Sequence, residues 1–153
     1  MNKPQDKRGV SRVKLAVVVV IIGMLAVFVL PLLLNAIERS KARQAVDFLT
    51  KVLVAQERYH SIHSIYSASV SNLNITSPAP RHFTIPDEIT PSPTIGSNGE
   101  TSLEYGWILT ATRHAGPKRY GAYTVTFYEG GFTNDGPASI AERPRINPTG
   151  RKK

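Results

Sequence analysis

A chain of 153 residues with no cysteine and a formal charge of +8 has room for one domain with a modest core beside an anchoring segment. It holds no thiol nucleophile, no disulfide and no cysteine-ligated metal site. The excess charge is split between a basic start (Lys3, Lys7, Arg8, Arg12 and Lys14 against Asp6), a diffuse remainder and a dense end (Arg143, Arg145, Arg151, Lys152 and Lys153). Nucleic-acid recognition calls for a clustered basic stripe, so no nucleic-acid partner is expected, and the end is read as a solvated terminus.

The chain divides by composition into a basic leader at 1–9, a hydrophobic helix at 10–35, an amphipathic continuation at 36–63, a globular region at 64–136 and a basic, proline-containing tail at 137–153. From Leu15 to Leu34 no residue is charged, and ~18 or more apolar residues in a row suffice to cross a bilayer. A removable signal peptide has an apolar region of only ~7–15 residues ending at a small-x-small site; here the nearest such triplet, Ser40-Lys41-Ala42, is charged and well downstream. Basic flanks stay cytoplasmic, so the start should lie inside the cell and the bulk of the chain across the membrane. Arg39, Lys41 and Arg43, offset by Glu38, moderate that bias. Pro31 removes a backbone donor and predicts a bend, while Gly23 offers a second soft point and a small contact surface.

Past Ala36 the pattern changes. Ala42, Ala45, Val46, Leu49, Val52, Leu53, Gln56 and Tyr59 recur at steps of three and four, with Arg39, Arg43, Asp47, Lys51 and Arg58 mostly between them. That is an amphipathic helix with one buried stripe. Residues 64–102, broken by Pro78, Pro80, Pro86, Pro91, Pro93, Gly96 and Gly99, read as a surface connection with a short turn near Val70–Leu73. Two alternating segments rich in Thr, Val and aromatics follow, Glu104–Thr112 and Arg119–Tyr128, and they predict half-buried strands joined by a hairpin loop at 114–118. Tyr105, Trp107, Leu109 and Ala111 share one face. Trp107, Leu109, Val125 and Phe127 are the expected core face against Val46, Leu49, Val52 and Leu53, with a third strand near Phe132 or Ile140. The fold class is therefore α+β: one long N-terminal helix packed against a small antiparallel sheet.

Signatures of catalysis are missing. Glu57-x-x-His60-x-x-His63 shares a helical face, but a Glu-x-x-His half-site needs carboxylates from facing helices, and no second copy exists. The segment is read as an exposed polar helix end. His82 and His114 lie in loops without partners in sequence, and Gly130-Gly131 and Gly136 lack the spacing of a nucleotide loop. No Gly-x-Ser-x-Gly elbow occurs. Asn74-Ile75-Thr76 is a sequon of a kind common by chance. No catalytic residue, cofactor site or metal site is assigned, and the chain is expected not to be an enzyme.

The register of the first helix resembles that of the type IV pilins and type II secretion pseudopilins. Lys7-Arg8-Gly9 matches the end of their leader, Val10 their first mature residue, Val19-Val20-Ile21-Ile22-Gly23-Met24-Leu25-Ala26 their apolar core, and Pro31 their helix proline. Gln56 to Tyr66, followed by Leu73, is similar to their helix end. The resemblance implies a ladle-shaped subunit stored in the bacterial inner membrane and assembled through its N-terminal helix into a pilus or pseudopilus. It implies homologous subunits, an inner-membrane assembly platform, a prepilin peptidase and the lipid bilayer as partners, with cleavage between Gly9 and Val10, methylation, and helix bending or unwinding at Gly23 and Pro31. Two positions depart from the pattern: Arg12 replaces a hydrophobic residue, and Lys14 replaces a Glu held to neutralise a neighbouring subunit's free amine. A Val10 amine one helical turn from Lys14, ~6 Å away, would cost about 3 kcal/mol of repulsion at an effective dielectric near 20. An intact leader avoids that cost and leaves Arg12 and Lys14 as a cytoplasmic flank, with Lys14 snorkelling. The departures favour a minor or accessory subunit. The alternative is a single-span signal-anchor protein whose exported domain binds a partner without forming filaments.

Overall fold

The computed structural model describes residues 11–92, 101–114, 120–133, 139–140, 143 and 145–149. The leader, the Gly9–Val10 pair, the hairpin loop at 115–118 and the last residues of the tail lie outside the described residues. The chain divides into two compact units, Met1–Ala36 and Ile37–Lys153.

One helix, α1, runs from Arg12 to His63 over 52 residues, with Pro31 inside it. In the second unit its buried residues are Glu38, Ala42, Ala45, Phe48, Leu49, Val52, Ala55 and Gln56. The expected stripe is present but rotated: Val46, Leu53 and Tyr59 are its half-buried margin, and Phe48, Ala55 and Glu38 take the interior positions. Each large apolar side chain buried there stabilises by about 1.5–3 kcal/mol. α1 stops at His63, where Ser64 adopts a left-handed φ of 59°.

Facing the stripe is a five-stranded antiparallel sheet. Its strands are β1 (Phe83–Thr84), β2 (Thr90–Pro91), β3 (Trp107–Arg113), β4 (Thr124–Tyr128) and β5 (Gly131–Thr133). β3 is central: β4 pairs along one edge, with Leu109 opposite Phe127 and Ala111 opposite Val125, while β1 and β2 share the other. Pro91 fits this arrangement because an edge residue need not donate to the ladder. β3 alternates, with Trp107, Leu109, Ala111 and Arg113 inward. Trp107, Leu109, Val125 and Phe127 form the expected core face. The third strand near Phe132 is β5; Ile140 instead fills the core after an isolated bridge between Ser139 and Thr124.

Both long strands are shorter than the alternation suggests. β3 begins at Trp107, and Tyr105 sits in a turn, 45% exposed. A turn precedes the strand: the Tyr105 and Gly106 N–H groups donate to the Ser102 carbonyl at 3.1 and 3.3 Å, and a Cβ at Gly106 would lie 2.6 Å from the Glu129 carboxylate, which accepts the Trp107 N–H at 3.2 Å. With those two donors committed to the turn, the ladder begins at Trp107, opposite Pro91. β4 begins at Thr124 rather than Arg119, because Gly121 takes a φ of +61° that extended backbone does not accommodate. Tyr123 still pairs locally, its carbonyl accepting the Arg113 N–H at 2.8 Å. Among the described residues Trp107 Nε1 is a buried donor without an acceptor.

The connection from 64 to 92 is more ordered than its prolines imply. A single 3-10 turn forms at Ser71–Leu73, where the short turn was expected, and Val70 and Ile89 donate to Asp87 and Ala68 across a short antiparallel contact. Gln56, fully buried, fastens this segment to α1: its Nε2 donates to the Ser67 carbonyl at 2.9 Å and its Oε1 accepts the Ser67 N–H at 2.8 Å. Arg58 and Lys51 continue the attachment at Leu73 and Ser77. Gln56→Ala leaves two buried backbone groups unpaired and should cost about 2–4 kcal/mol. In detergent-solubilised full-length protein the unfolding midpoint should fall by roughly 10–20 °C; an unchanged midpoint would show that the side chain does not hold the loop.

Candidate assembly helix and its buried anchor

The first unit contains the part of α1 with no apolar partner. Val13, Val17, Val20, Met24, Val27, Phe28 and Leu32 are each at least half exposed, and α1 is long and apolar enough there to cross a membrane. A contiguous apolar surface of this kind needs lipid or other polypeptide to cover it. Lys14 and Gly23 are exposed along it, and a Cβ on Gly23 would meet nothing within 4 Å, so that position is open to close approach by another helix. Pro31 is half-buried inside the helix. Gly9 and Val10 lie outside the described residues, and among the described residues Lys14 makes no ion pair.

The first residues of the second unit take part in a buried polar cluster. Glu38, placed by sequence among the flanking charges of the span, is 2% exposed. Its Oε1 accepts from Arg113 Nε at 2.7 Å and from the Tyr123 hydroxyl at 3.0 Å, and its Oε2 accepts from Arg113 Nη2 at 3.4 Å. Lys41 Nζ stands 3.6 Å away on the solvent side. Arg113, 5% exposed, spends its Nη1 on the His82 and His114 carbonyls at 3.1 and 3.0 Å and lies over the Phe83 ring at 5.8 Å. One carboxylate thereby joins α1, β3, the loop before β1 and the start of β4.

The electrostatics are consistent with the geometry. Burial alone would raise the Glu38 carboxyl, but hydrogen bonds from Arg113 and Tyr123 and the charges of Arg113 and Lys41 outweigh it and hold the group below its ordinary value of 4.5. The Tyr123 hydroxyl is pushed well above the usual phenol range by burial and then by Glu38, so it stays protonated and donates. Arg113 is raised, chiefly by its hydrogen bond to Glu38.

Two signals in the sequence pointed to this pair. Glu38 continues the stripe of Ala42, Ala45, Leu49, Val52 and Gln56 by one turn, and Arg113 continues the inward parity of Trp107, Leu109 and Ala111. A charge on each of two facing apolar surfaces is costly unless the two meet.

The residues with metal-like spacing are engaged otherwise. Glu57 accepts the Tyr66 hydroxyl at 3.3 Å, the His60 ring stacks on Tyr66 at 4.3 Å, and His63 stacks on Tyr59 at 4.1 Å. Among the described residues no group of three or more His, Cys, Asp or Glu is placed to hold a metal ion. His114 contacts the Thr84 hydroxyl at 2.7 Å and the His82 side chain lines a shallow surface concavity.

Removing one member of a buried ion pair strands the other, at a cost of about 3–5 kcal/mol, whereas replacing both with apolar groups of similar volume is near neutral. Glu38→Ala and Arg113→Met should each destabilise the globular unit by that amount, and Glu38→Leu combined with Arg113→Met should recover most of the loss, as read by thermal unfolding in detergent. A double variant no more stable than either single one would contradict pairing as the cause. Because the folded Glu38 carboxyl lies below its unfolded value, its contribution is complete above about pH 4.5 and is lost as pH falls through the folded value. Asp87, lowered by hydrogen bonds from Ser69 and Ser71, acts in the same direction. Glu38→Gln should therefore flatten, without abolishing, the fall in unfolding midpoint below pH 4.5; an unaltered acid limb would remove Glu38 from the explanation.

No family model matches the chain, and no solved structure does. Over 88 residues the chain is 32% identical to type II secretion system core protein G of Vibrio cholerae serotype O1, an alignment covering 54% of this chain and 60% of that protein. The sequence similarity and the helix-on-sheet fold together support a pilin- or pseudopilin-like relationship.

Proposed function

We propose that the chain is a structural subunit of a pseudopilus or related type IV filament, anchored in the inner membrane through the apolar half of α1 and assembled side by side with homologous subunits through that same surface. The observation that carries this reading is the division of α1. One half buries its stripe under the sheet, and the other presents apolar side chains around its whole circumference. A helix apolar all round is stable only in lipid or among other helices, and a filament subunit uses both environments in turn. The similarity to a type II secretion core protein supports the reading. In it the chain has no catalytic role, and energy for assembly comes from elsewhere.

Finer parts of the proposal concern the start of α1. The basic flank ending in Lys14 stays cytoplasmic and the globular unit faces the periplasm. Lys14 disfavours a free amine at Val10, so the subunit is accessory rather than the bulk of the filament, and its leader is cut after Gly9 less readily than in an ordinary pilin. The peptidase and an assembly platform are the partners this implies, with Gly23 and Pro31 as the places where the helix yields during transfer.

Two measurements test these statements. Sequencing the N-terminus of membrane-extracted protein should return the intact leader; a chain beginning at Val10 contradicts it. Sheared filament fractions should contain the wild-type chain as a minor component. Pro31→Ala should lower that amount several-fold and Lys14→Glu should raise it. A chain that never co-purifies with filaments in any form is instead a single-span anchor for an exported partner-binding domain.

A further inference from the structure

Two cations stand at the head of α1. Arg12 and Lys14 are exposed, and among the described residues neither makes a hydrogen bond or ion pair. Exposed cations also occur on the globular unit, but these two belong to a helix that is otherwise uncharged as far as Leu34. Its large apolar side chains are half exposed or more from Val13 to Leu33, so any helix that packs on this unit meets the two charges. The helical turn sets them on opposite sides. At ~100° per residue, Arg12 lies in line with Ala16, Val19 and Gly23, and Lys14 with Val18, Ile21 and Leu25. No acidic residue stands in the first turn. The first carboxylate of α1 is Glu38, which is buried and held by Arg113 and Tyr123.

Side-by-side packing with a second copy of this chain leaves these charges unanswered. Glu38 follows Lys14 by about 36 Å of helical rise. A parallel copy shifted by anything less presents Lys14 with apolar side chains, or with another Arg12 and Lys14. A shift the other way brings up the leader, where Asp6 is outnumbered by Lys3, Lys7 and Arg8; removal of the leader takes Asp6 away and adds an amine. In a bilayer the problem does not arise. The uncharged run is about as long as the hydrocarbon is thick, ~30 Å, so Lys14 reaches lipid phosphates by extending its stem. Among packed subunits no headgroups are present, and an unpaired ammonium against apolar helices is strongly disfavoured.

We propose that the Lys14 face of α1 docks on a different subunit, one whose own apolar helix carries an Asp or Glu carboxylate, and that Lys14 selects this neighbour. The ammonium pairs with that carboxylate where the two helices pack, and the same charge repels copies of its own chain. Discrimination between neighbours is a difference between an attractive contact and a repulsive one, and Lys14 supplies both. This inference rests on the filament reading above and names the neighbour within it.

The test carries a thiol-attached photocrosslinker on Ile21→Cys, on the Lys14 face, in the full chain made by its native cells. Sheared filament fractions are irradiated, and the adducts are identified by peptide sequencing, with yields normalised to the amount of each variant in membranes. Adducts should join this chain to the apolar segment of a different chain that contains a carboxylate, with adducts to its own copies about tenfold fewer or less. Lys14→Met, of similar length but uncharged, should lower the heterotypic adduct on the order of tenfold, as loss of one member of a desolvated charge pair predicts. Lys14→Arg should keep it. Lys14→Glu should move adducts towards copies of this chain, whose Arg12 then has a carboxylate to meet. Adducts chiefly to this chain itself, a neighbour without a carboxylate in its apolar segment, or a heterotypic adduct that Lys14→Met leaves unchanged each overturn the selection while leaving the filament reading intact. A chain that yields no subunit adduct from any filament fraction, while crosslinking to lipid in membranes, defeats the filament reading and the selection with it.

Discussion

Glu38 is a carboxylate on the apolar stripe of a helix, and the cost of burying it governs much of what surrounds it. Water is excluded from the site, so the charge persists only where donors reach it. Arg113 and Tyr123 provide them from β3 and from the residue before β4, and Arg113 draws in the carbonyls of His82 and His114. Apolar burial along Ala42, Leu49 and Val52 supplies most of the stabilising energy, but it tolerates sliding and rotation. The ion pair does not. A rotation of α1 by one residue, ~100°, would carry the carboxylate away from Arg113 and leave two buried charges uncompensated. The cluster thus sets the rotation and register of α1 on the sheet.

Gln56 does the same further along the stripe with neutral chemistry. Its amide pairs with the backbone of Ser67, so the connection that leaves the end of α1 is turned back along the helix rather than into solvent. Between Glu38 and Gln56 the apolar residues are packed to a rotation that two polar contacts define.

Much of this was legible in the residues. Strong periodicity marked α1, and the alternation of Trp107, Leu109 and Ala111 with Val125 and Phe127 marked the core face of β3 and β4. The misses have local causes. Tyr105 matched the alternation, but its N–H and that of Gly106 close a turn on the Ser102 carbonyl, and the strand starts past it. Arg119–Tyr123 read as strand because composition does not reveal the positive φ at Gly121. Glu38 and Arg113 escape a reading by periodicity for a different reason: each occupies an inward position by spacing, but a charged residue does not register as part of an apolar stripe or face. Opposite charges at inward positions of two facing elements are better read as a contact. The strands β1 and β2, only two residues each, are too short to show a period and form only because β3 offers an edge.

The two halves of α1 face different problems. Beyond Ile37 the helix is covered by its own sheet; from Val13 to Leu34 large apolar side chains are exposed all round it. That division is the central claim of the functional account, because a lone anchor needs only lipid around the first half, whereas an assembling subunit brings these halves together. The chain has no cysteine, so single cysteines at Val17, Gly23 and Phe28 report on neighbours without background. With each cysteine carrying a thiol-attached photocrosslinker, irradiation of sheared filament fractions should yield covalent adducts of this chain with its neighbouring subunits at these positions, and the same residues should stay unlinked in dispersed detergent micelles. Cysteines that reach no neighbouring subunit in any filament fraction, while remaining protected by lipid in membranes, would contradict assembly through α1.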